Sequence, residues 1–169
     1  MTKAVRPIRV VGSLAYIPLT KGYEAIIDAA DVHLVEGYNW FALARHGKTV
    51  YARRNTPGPI QRTVLLHRAI CQTPDGLQLD HRDGNGLNNS RANLRFASIA
   101  QNQQNKRLRQ DNTSGLKGVD FHKGNGLWRA RIQANGKSKC LGYHTTPEAA
   151  RAAYAEASAL LHGDFARTA

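Results

Sequence analysis

Residues 77–84 form the stretch Leu77-Gln78-Leu79-Asp80-His81-Arg82-Asp83-Gly84. The alternation of apolar and polar side chains over 77–81 predicts a β-strand, and the polar residues after it predict a turn. Residues 83–90 are rich in Asn, Asp and Gly, which is typical of a long loop. A second strand is predicted over 93–96. The middle of the chain is therefore expected to hold two short strands joined by a polar loop.

A polar helix is predicted after the second strand. Ser98 and Gln101 have the spacing of a capping box, in which Ser98 is the N-cap. We expect the helix to run to about Arg109, with a polar surface that lies against a solvated partner. Before the first strand, the apolar stretch 64–70 is predicted to be helical.

The polar residues of this region suit metal-assisted phosphodiester hydrolysis. Mg²⁺ prefers carboxylate and amide oxygens, which Asp80 and Asn102 could supply. The neutral imidazole of His81 could take a proton from water near pH 7. Neighbouring strand residues face opposite sides, so Asp80 and His81 share a site only where the strand ends or twists. The pair alone is equally consistent with a turn-forming Asp beside a hydrogen-bonded His.

The N-terminal segment, residues 1–63, is predicted to be rich in β-structure. Strands are expected over 15–19 and 23–27, followed by a short helix over 28–35. A hairpin is expected to join 40–44 to 49–53 across the turn at 46–48. Trp40, Phe41 and Tyr51 are predicted core residues.

A compact antiparallel sheet is predicted in the C-terminal third. The pairs Asn125-Gly126 and Asn135-Gly136 are hairpin turns, and they separate strands over 117–122, 127–134 and 137–143. A helix follows from the N-cap Thr146 to His162-Gly163. Its apolar stripe is predicted to pack on the sheet and consists of Ala149, Ala150, Ala153, Tyr154, Ala157, Leu160 and Leu161.

The central strand of this sheet alternates between two faces. Trp128, Ala130 and Ile132 are expected to face the helix. The opposite face carries Arg129, Arg131 and Gln133 and stays exposed. Such a strand suits the DNA major groove, which admits a β-ribbon. An ordinary solvated strand is the alternative.

Charge and cysteine content narrow the class of protein. The 169 residues carry 24 Lys+Arg against 12 Asp+Glu, a net charge of +12, which favours a nucleic-acid partner. Two cysteines build no disulfide framework, and no Cys-x-x-Cys pair offers a zinc site. No apolar run reaches the roughly 18 residues of a membrane span. We expect a cytoplasmic protein that is neither secreted nor membrane-bound.

The middle of the chain resembles the HNH endonuclease family, and more narrowly its phage and intron-associated homing branch. The resemblance covers about residues 64–109 and depends on these motifs in order: Leu66-His67-Arg68, Leu79 to Gly84, Asn88-Asn89-Ser90-Arg91-x-Asn93-Leu94-Arg95, and Gln101-Asn102-x-x-Asn105-Lys106. It implies a ββα-metal fold around one divalent ion, Mg²⁺ or Mn²⁺, without structural zinc.

The resemblance also assigns roles to individual residues. Asp80 and Asn102 would bind the metal, His81 would be the general base, and Asn93 would fix the loop that positions His81. The resemblance assigns no role to His67, which is expected to support the site or contact phosphate, with a packed histidine as the alternative. By residue type, and not by the resemblance, the basic residues of this segment are candidate contacts to DNA phosphates, and the alternative is that they are solvated surface charges or stabilise a helix end: Arg68, Arg82, Arg91, Arg95, Lys106 and Arg109.

The last segment, about 114–166, resembles the AP2 DNA-binding domain. The matching residues are Gly118-Val119, Trp128 to Ile132, Leu141-Gly142-Tyr143, Glu148-Ala149-Ala150, Ala152-Ala153-Tyr154 and His162-Gly163. The resemblance implies that DNA binds to the three-stranded sheet, with His122 beside the arginines. Asp120 and Cys140 depart from the family pattern on this face, so the family's usual target sequence is not assumed.

These inferences combine into an α+β protein with four regions. They are a β-rich supporting segment over 1–63, an HNH core over 64–109, a linker over 110–115 and an AP2-like domain over 116–169. The expected function is a homing-type, metal-dependent endonuclease of a phage or mobile element that acts on double-stranded DNA, as a monomer with a dimer left open. The alternatives are a DNA-binding regulator with an inactive nuclease site and, ranked last, an RNA-binding protein.

Overall fold

The computed structural model describes residues 4–44, 49–105, 108, 112–134 and 136–166. The chain forms two compact units, Met1–Ala97 and Ser98–Ala169. Within the described residues, the strands form three three-stranded sheets and one two-stranded sheet, all antiparallel. Helices accompany them, which confirms the α+β class. In the same part of the chain, no helix is both long and apolar enough to cross a bilayer.

The first sheet of the Met1–Ala97 unit contains β1 (Arg9–Val11), β2 (Leu14–Pro18) and β3 (Glu24–Asp28) in chain order. Strands β2 and β3 agree with the prediction to within one residue. Strand β1 was not predicted, because its three residues are all exposed and show no alternation. A 3-10 helix at Ala29–Leu34 occupies the predicted helical stretch.

The second sheet contains β4 (Phe41–Leu43), β5 (Tyr51–Asn55) and β6 (Thr63–Leu65). The predicted hairpin is confirmed in β4 and β5, while its turn at 46–48 lies outside the described residues. Strand β6 and α1 (Leu66–Ile70) share the stretch that was predicted to be wholly helical.

Of the three residues predicted to lie in the core here, only Trp40 is fully buried, Tyr51 is half-buried, and the prediction for Phe41 was wrong. Trp40 is buried at 1% exposure and belongs to the core cluster, whereas Phe41 is 42% exposed. Ala42 and its cross-strand partner Ala52 pack into the core. Because strand side chains alternate, Phe41 faces the other side, where it pairs with Arg53.

A two-stranded hairpin completes the first unit. It consists of β7 (Gln78–His81) and β8 (Leu94–Ala97), which confirms both predicted strands. The loop between them is held against β3, because Asn89 donates its backbone N–H to the Ile26 carbonyl (2.7 Å) and Ile26 donates to the Leu87 carbonyl (2.8 Å). The loop is therefore a packed part of this unit.

The Ser98–Ala169 unit begins with α2 (Ile99–Gln104). Both bonds of the predicted capping box are present between Ser98 and Gln101. The helix ends at Gln104 rather than at Arg109, and none of its residues is buried. A helix without a buried stripe has no packing energy to extend it. Lys106, Arg107 and Arg109 lie outside the described residues.

The rest of this unit is a sheet packed on a helix, as predicted. Its strands β9 (Val119–His122), β10 (Leu127–Ala134) and β11 (Lys137–His144) pair in the order β11-β10-β9. Helix α3 (Pro147–His162) packs on β10 and β11. The Asn125-Gly126 turn is present, whereas Asn135 lies outside the described residues.

The buried stripe of α3 differs from the predicted one at both ends, and at the N-terminal end Ala149 is exposed. Leu160 and Leu161 are 81% and 48% exposed. Ser158 and His162 are buried instead, and the Ser158 hydroxyl lies 3.2 Å from His162 Nδ1. His162 Nε2 donates to the Gln133 carbonyl at 3.0 Å, so a polar contact joins this end of the helix to β10. The helical repeat alone could not show which side of the last turn meets the sheet.

Gly118 is required where the chain enters β9. Its φ of +70° lies in the left-handed region. A Cβ built on it would overlap the Tyr154 ring and lie 2.6 Å from the Arg131 carbonyl oxygen. The glycine thus permits close packing between β9, β10 and α3.

Candidate active site and DNA-binding surface

The β7–β8 hairpin buries Asp80 and His81, the residues expected to bind the metal and to act as the general base. Asp80 is 7% and His81 5% exposed, at the last two positions of β7. They pair across the hairpin with Arg95 and Leu94. Neighbouring strand residues can share one site where the strand ends, and β7 ends at His81.

Asp80 forms a buried ion pair. Both Nε and Nη2 of Arg95 lie 2.9 Å from Asp80 Oδ2, and the two side chains are only 8% and 7% exposed. Arg95 was expected to contact a DNA phosphate. The structure instead places its guanidinium inside the hairpin, where it compensates the charge of the buried carboxylate.

His81 is held in one tautomer by Asn89. The amide nitrogen of Asn89 donates to the Leu87 carbonyl at 2.9 Å, so its Oδ1 must be the atom that faces His81. His81 Nε2 lies 3.1 Å from that oxygen and is therefore the protonated nitrogen. The lone pair resides on Nδ1, the nitrogen that can act as a base.

Burial also keeps the imidazole of His81 neutral. Loss of solvation lowers its pKa below the ordinary value, and this outweighs the opposing effects of the bond to Asn89 and of the charges on Asp83 and Asp80. A neutral imidazole of fixed tautomer can accept a proton at pH 7. Asn89 had no role predicted from the sequence, because its partner is defined only by the folded loop.

Asn93 ties together the two ends of the loop after β7. Its amide nitrogen donates to Asp83 Oδ1 (3.0 Å) and to the Asn88 carbonyl (2.7 Å). Its amide oxygen accepts from the Asp83 N–H at 3.1 Å. Burial raises the pKa of Asp83, but donors from Asn85, Asn88 and Asn93 more than offset this and lower it overall. The loop is thus built around a carboxylate that stays ionised.

Two aromatic side chains lie against His81. His67 is 6% exposed and its ring centroid is 5.1 Å from that of His81. Burial, followed by the neighbouring His81 and Arg68, lowers the pKa of His67 to about 3, so it is neutral. Tyr51 lies 5.8 Å from both imidazole centroids. Burial and the nearby charge of Asp80 raise the pKa of the Tyr51 hydroxyl, which keeps its proton.

The basic residues around the loop differ in their contacts. Arg68 and Arg82 are exposed. Arg91, which the sequence suggested as a phosphate contact, is instead a loop anchor: its Nε and Nη2 lie 2.7–3.2 Å from the carboxylate of Asp31. Its backbone N–H also donates to Asp28 at 2.8 Å. Arg91 thereby fastens the loop to the first sheet.

The predicted metal ligands belong to different units. Asp80 lies in Met1–Ala97, and Asn102 lies on α2 in Ser98–Ala169. Their donors, a buried carboxylate and an amide, are the oxygen types that a hard divalent ion binds. Among the residues described, no cluster of three or more His, Cys, Asp or Glu is placed to hold a metal. Mg²⁺ keeps several waters and needs no such cage, so the residue types fit it.

The outer face of the C-terminal sheet carries the predicted arginines, joined by a shared carboxylate. Asp120 accepts from Arg129 Nη2 at 2.8 Å through one oxygen and from Arg131 Nε at 3.0 Å through the other. Arg131 and Gln133 are exposed and Arg129 is half-buried, while the alternating residues Ala130 and Ile132 are fully buried. The predicted alternation is therefore correct. The sequence did not predict that Asp120 would hold both guanidinium groups.

His122 lies on β9, beside the arginine pair. Its Nδ1 is 3.0 Å from Asn125 Oδ1, and its ring centroid is 5.3 Å from that of Tyr143. Tyr143 is 45% exposed and pairs with Arg129 across the strands. This sheet face thus offers donors, an acceptor and an aromatic edge to solvent.

Comparison with known proteins finds one matching family and two relatives. Residues 64–104 match a family model described as HNH endonuclease. Protein 3.8 of Escherichia phage T7 is 38% identical over 94 residues, which cover 56% of this chain and 77% of that protein. An uncharacterized HNH endonuclease of Acanthamoeba polyphaga mimivirus is 29% identical over 162 residues, or 93% of this chain and 82% of that protein. No solved structure matches the chain. With the buried Asp-His pair and its asparagine-rich loop, these likenesses show that the chain belongs to the HNH endonuclease family.

Proposed function

We propose that this protein is a metal-dependent DNA endonuclease that hydrolyses phosphodiester bonds. The observation that carries the proposal is the buried bond from His81 Nε2 to Asn89, which leaves Nδ1 as the basic nitrogen. In this proposal Nδ1 takes one proton of the attacking water, whose oxygen bonds to phosphorus as the bond from phosphorus to the 3′ oxygen breaks. The 3′ oxygen then takes a proton from solvent water. Asn93 holds the loop that keeps Asn89 and His81 together. The products would be a 5′-phosphate and a 3′-hydroxyl.

Asp80 and Asn102 are proposed to hold one Mg²⁺ or Mn²⁺ ion. When bound, the ion supplies positive charge that offsets the charge on the scissile phosphate and the leaving oxygen. Arg95 keeps the Asp80 carboxylate in place from within the hairpin. Arg68 and Arg82 are exposed and are proposed to bind flanking phosphates, while His67 supports His81 by packing.

The test is a supercoiled-plasmid assay with Mg²⁺, with Mn²⁺ and with EDTA, repeated on phage DNA. We expect open circles with either metal, no cutting with EDTA, and recovery when Mg²⁺ is added in excess. DNA retention without metal-dependent cutting would instead favour a DNA-binding regulator with an inactive site. The Asp80–Arg95 pair is the observation that favours this alternative, because the carboxylate already has a cationic partner.

We further propose that the outer face of β9, β10 and β11 docks in the DNA major groove, as an AP2-like domain. Asp120 supports this by holding Arg129 and Arg131 side by side, so less side-chain freedom is lost on binding. A homing-type role in a phage or mobile element is part of the proposal. The similarity to a phage T7 protein supports that setting.

Removing both arginines, Arg129→Ala with Arg131→Ala, is expected to weaken DNA binding at least tenfold, which is about the value of one good base contact. Arg151→Ala is the matched control, because Arg151 is an exposed arginine on α3 of the same unit. Fluorescence anisotropy at one fixed salt concentration measures both. The double variant removes two charges and the control one, so a control that lost half as much binding free energy as the double variant would show that only total charge matters and would contradict docking by this face.

A further inference from the structure

A tyrosine from outside the matched HNH segment closes one side of the candidate site. Tyr51 lies on β5, before residue 64, where the family match begins. Its ring centroid is 5.8 Å from those of His67 and His81, which are 5.1 Å from each other. The three rings form a triangle in which each contacts both others.

Tyr51 also contacts the loop that holds His81. A Cβ built on Gly86 would lie 2.6 Å from the Tyr51 ring and 2.5 Å from the Val50 carbonyl oxygen. The backbone of the loop therefore rests directly on β5. Three residues further along this loop, Asn89 Oδ1 accepts the hydrogen bond from His81. The Tyr51 ring thus contacts both the His81 imidazole and the loop that carries its hydrogen-bond acceptor, Asn89.

We propose that Tyr51 is a positioning residue for His81, which holds the plane of the imidazole and supports the loop that carries Asn89. The inference rests on the proposed role of His81 as the general base. Aromatic rings have preferred edge-to-face geometries, so ring packing by itself can orient an imidazole. The N-terminal segment then supplies one wall of the active site. Positioning of His81 requires only the aromatic ring of Tyr51. Phenylalanine at this position should therefore preserve the function, and leucine should not.

The test compares Tyr51→Phe, Tyr51→Leu and Tyr16→Leu in the full chain. Tyr16 is the matched control, because it is a half-buried tyrosine of the same unit whose ring lies under Arg9. Small displacements of a catalytic group cost up to about a hundredfold in rate. We therefore expect Tyr51→Leu to lower the single-turnover cleavage rate constant about ten- to a hundredfold with an unchanged DNA dissociation constant. Tyr51→Phe and Tyr16→Leu should stay close to wild type.

Nitrogen NMR of the His81 side chain gives a readout that is independent of cleavage. Wild type and Tyr51→Phe should show one Nε2–H tautomer, and Tyr51→Leu should show mixed or exchanging signals. Wild-type rate and spectrum in Tyr51→Leu would overturn the inference, as would a rate loss shared equally by Tyr16→Leu. If the wild-type protein cut no DNA but Tyr51→Leu altered the His81 signals, the positioning role would stand and the endonuclease proposal would fail.

Discussion

Replacing His81 with alanine is expected to lower the cleavage rate constant by about 10²–10⁴-fold, the range for loss of a general acid–base group. DNA binding should change little, because His81 is buried at 5% exposure and the basic surface of the protein is untouched. Single-turnover cleavage and DNA retention are measured in the same samples with Mg²⁺ present. The variant should therefore retain DNA and leave it intact.

A matched histidine serves as the control. His33 is exposed, its Nδ1 lies 2.8 Å from the Ala30 carbonyl oxygen, and it has no part in the site, so His33→Ala should cut at the wild-type rate. Thermal melting confirms that both variants are folded at the assay temperature. Cleavage by His81→Ala at the wild-type rate would rule out the assigned base. Equal loss in both variants would indicate a general effect on folding.

Replacing Arg95 with methionine is expected to lower the free energy of unfolding of the Met1–Ala97 unit by about 3–5 kcal/mol, because it leaves the carboxylate of Asp80 buried without its cationic partner. Both side chains are less than 9% exposed. Urea denaturation followed by Trp40 fluorescence reports on this unit. A Trp128→Phe background removes the signal of the only other tryptophan of the chain.

Two controls separate the buried pair from ion pairs in general. The Arg9–Glu24 pair is exposed on both sides with a separation of 3.4 Å, so Arg9→Met should cost less than about 1 kcal/mol. Adding Asp80→Leu to Arg95→Met should recover much of the lost stability, because no unpaired charge is then buried. If Arg95→Met were no more destabilising than Arg9→Met, the pair would not hold the hairpin together.

The hairpin and the C-terminal sheet were predictable because each depends on a short-range pattern. Strand alternation marked β7 and β10, and the capping box at Ser98 marked the start of α2. The errors have a common cause. The burial of Phe41 and Leu160 depended on which side of their element meets another part of the chain, and the end of α2 at Gln104 depended on whether any side of the helix is buried at all. A single element's sequence does not contain that information.

Four partnerships depended on tertiary structure alone: Asp80 with Arg95, His81 with Asn89, Arg91 with Asp31, and Asp120 with both sheet arginines. Arg91 and Arg95 have the same side chain, yet one anchors the loop and the other compensates a buried carboxylate.

The sequence by itself determined the family motif, the hairpin that carries Asp80 and His81, and the exposed arginine strand. These follow from residue type and period over a few positions. Only the tertiary structure decided which nitrogen of His81 carries the proton, and that Tyr51 of β5 lies against it. The physical reason is that burial and hydrogen-bond partners arise where segments distant in the chain meet, as when the loop rests on β3 and β5.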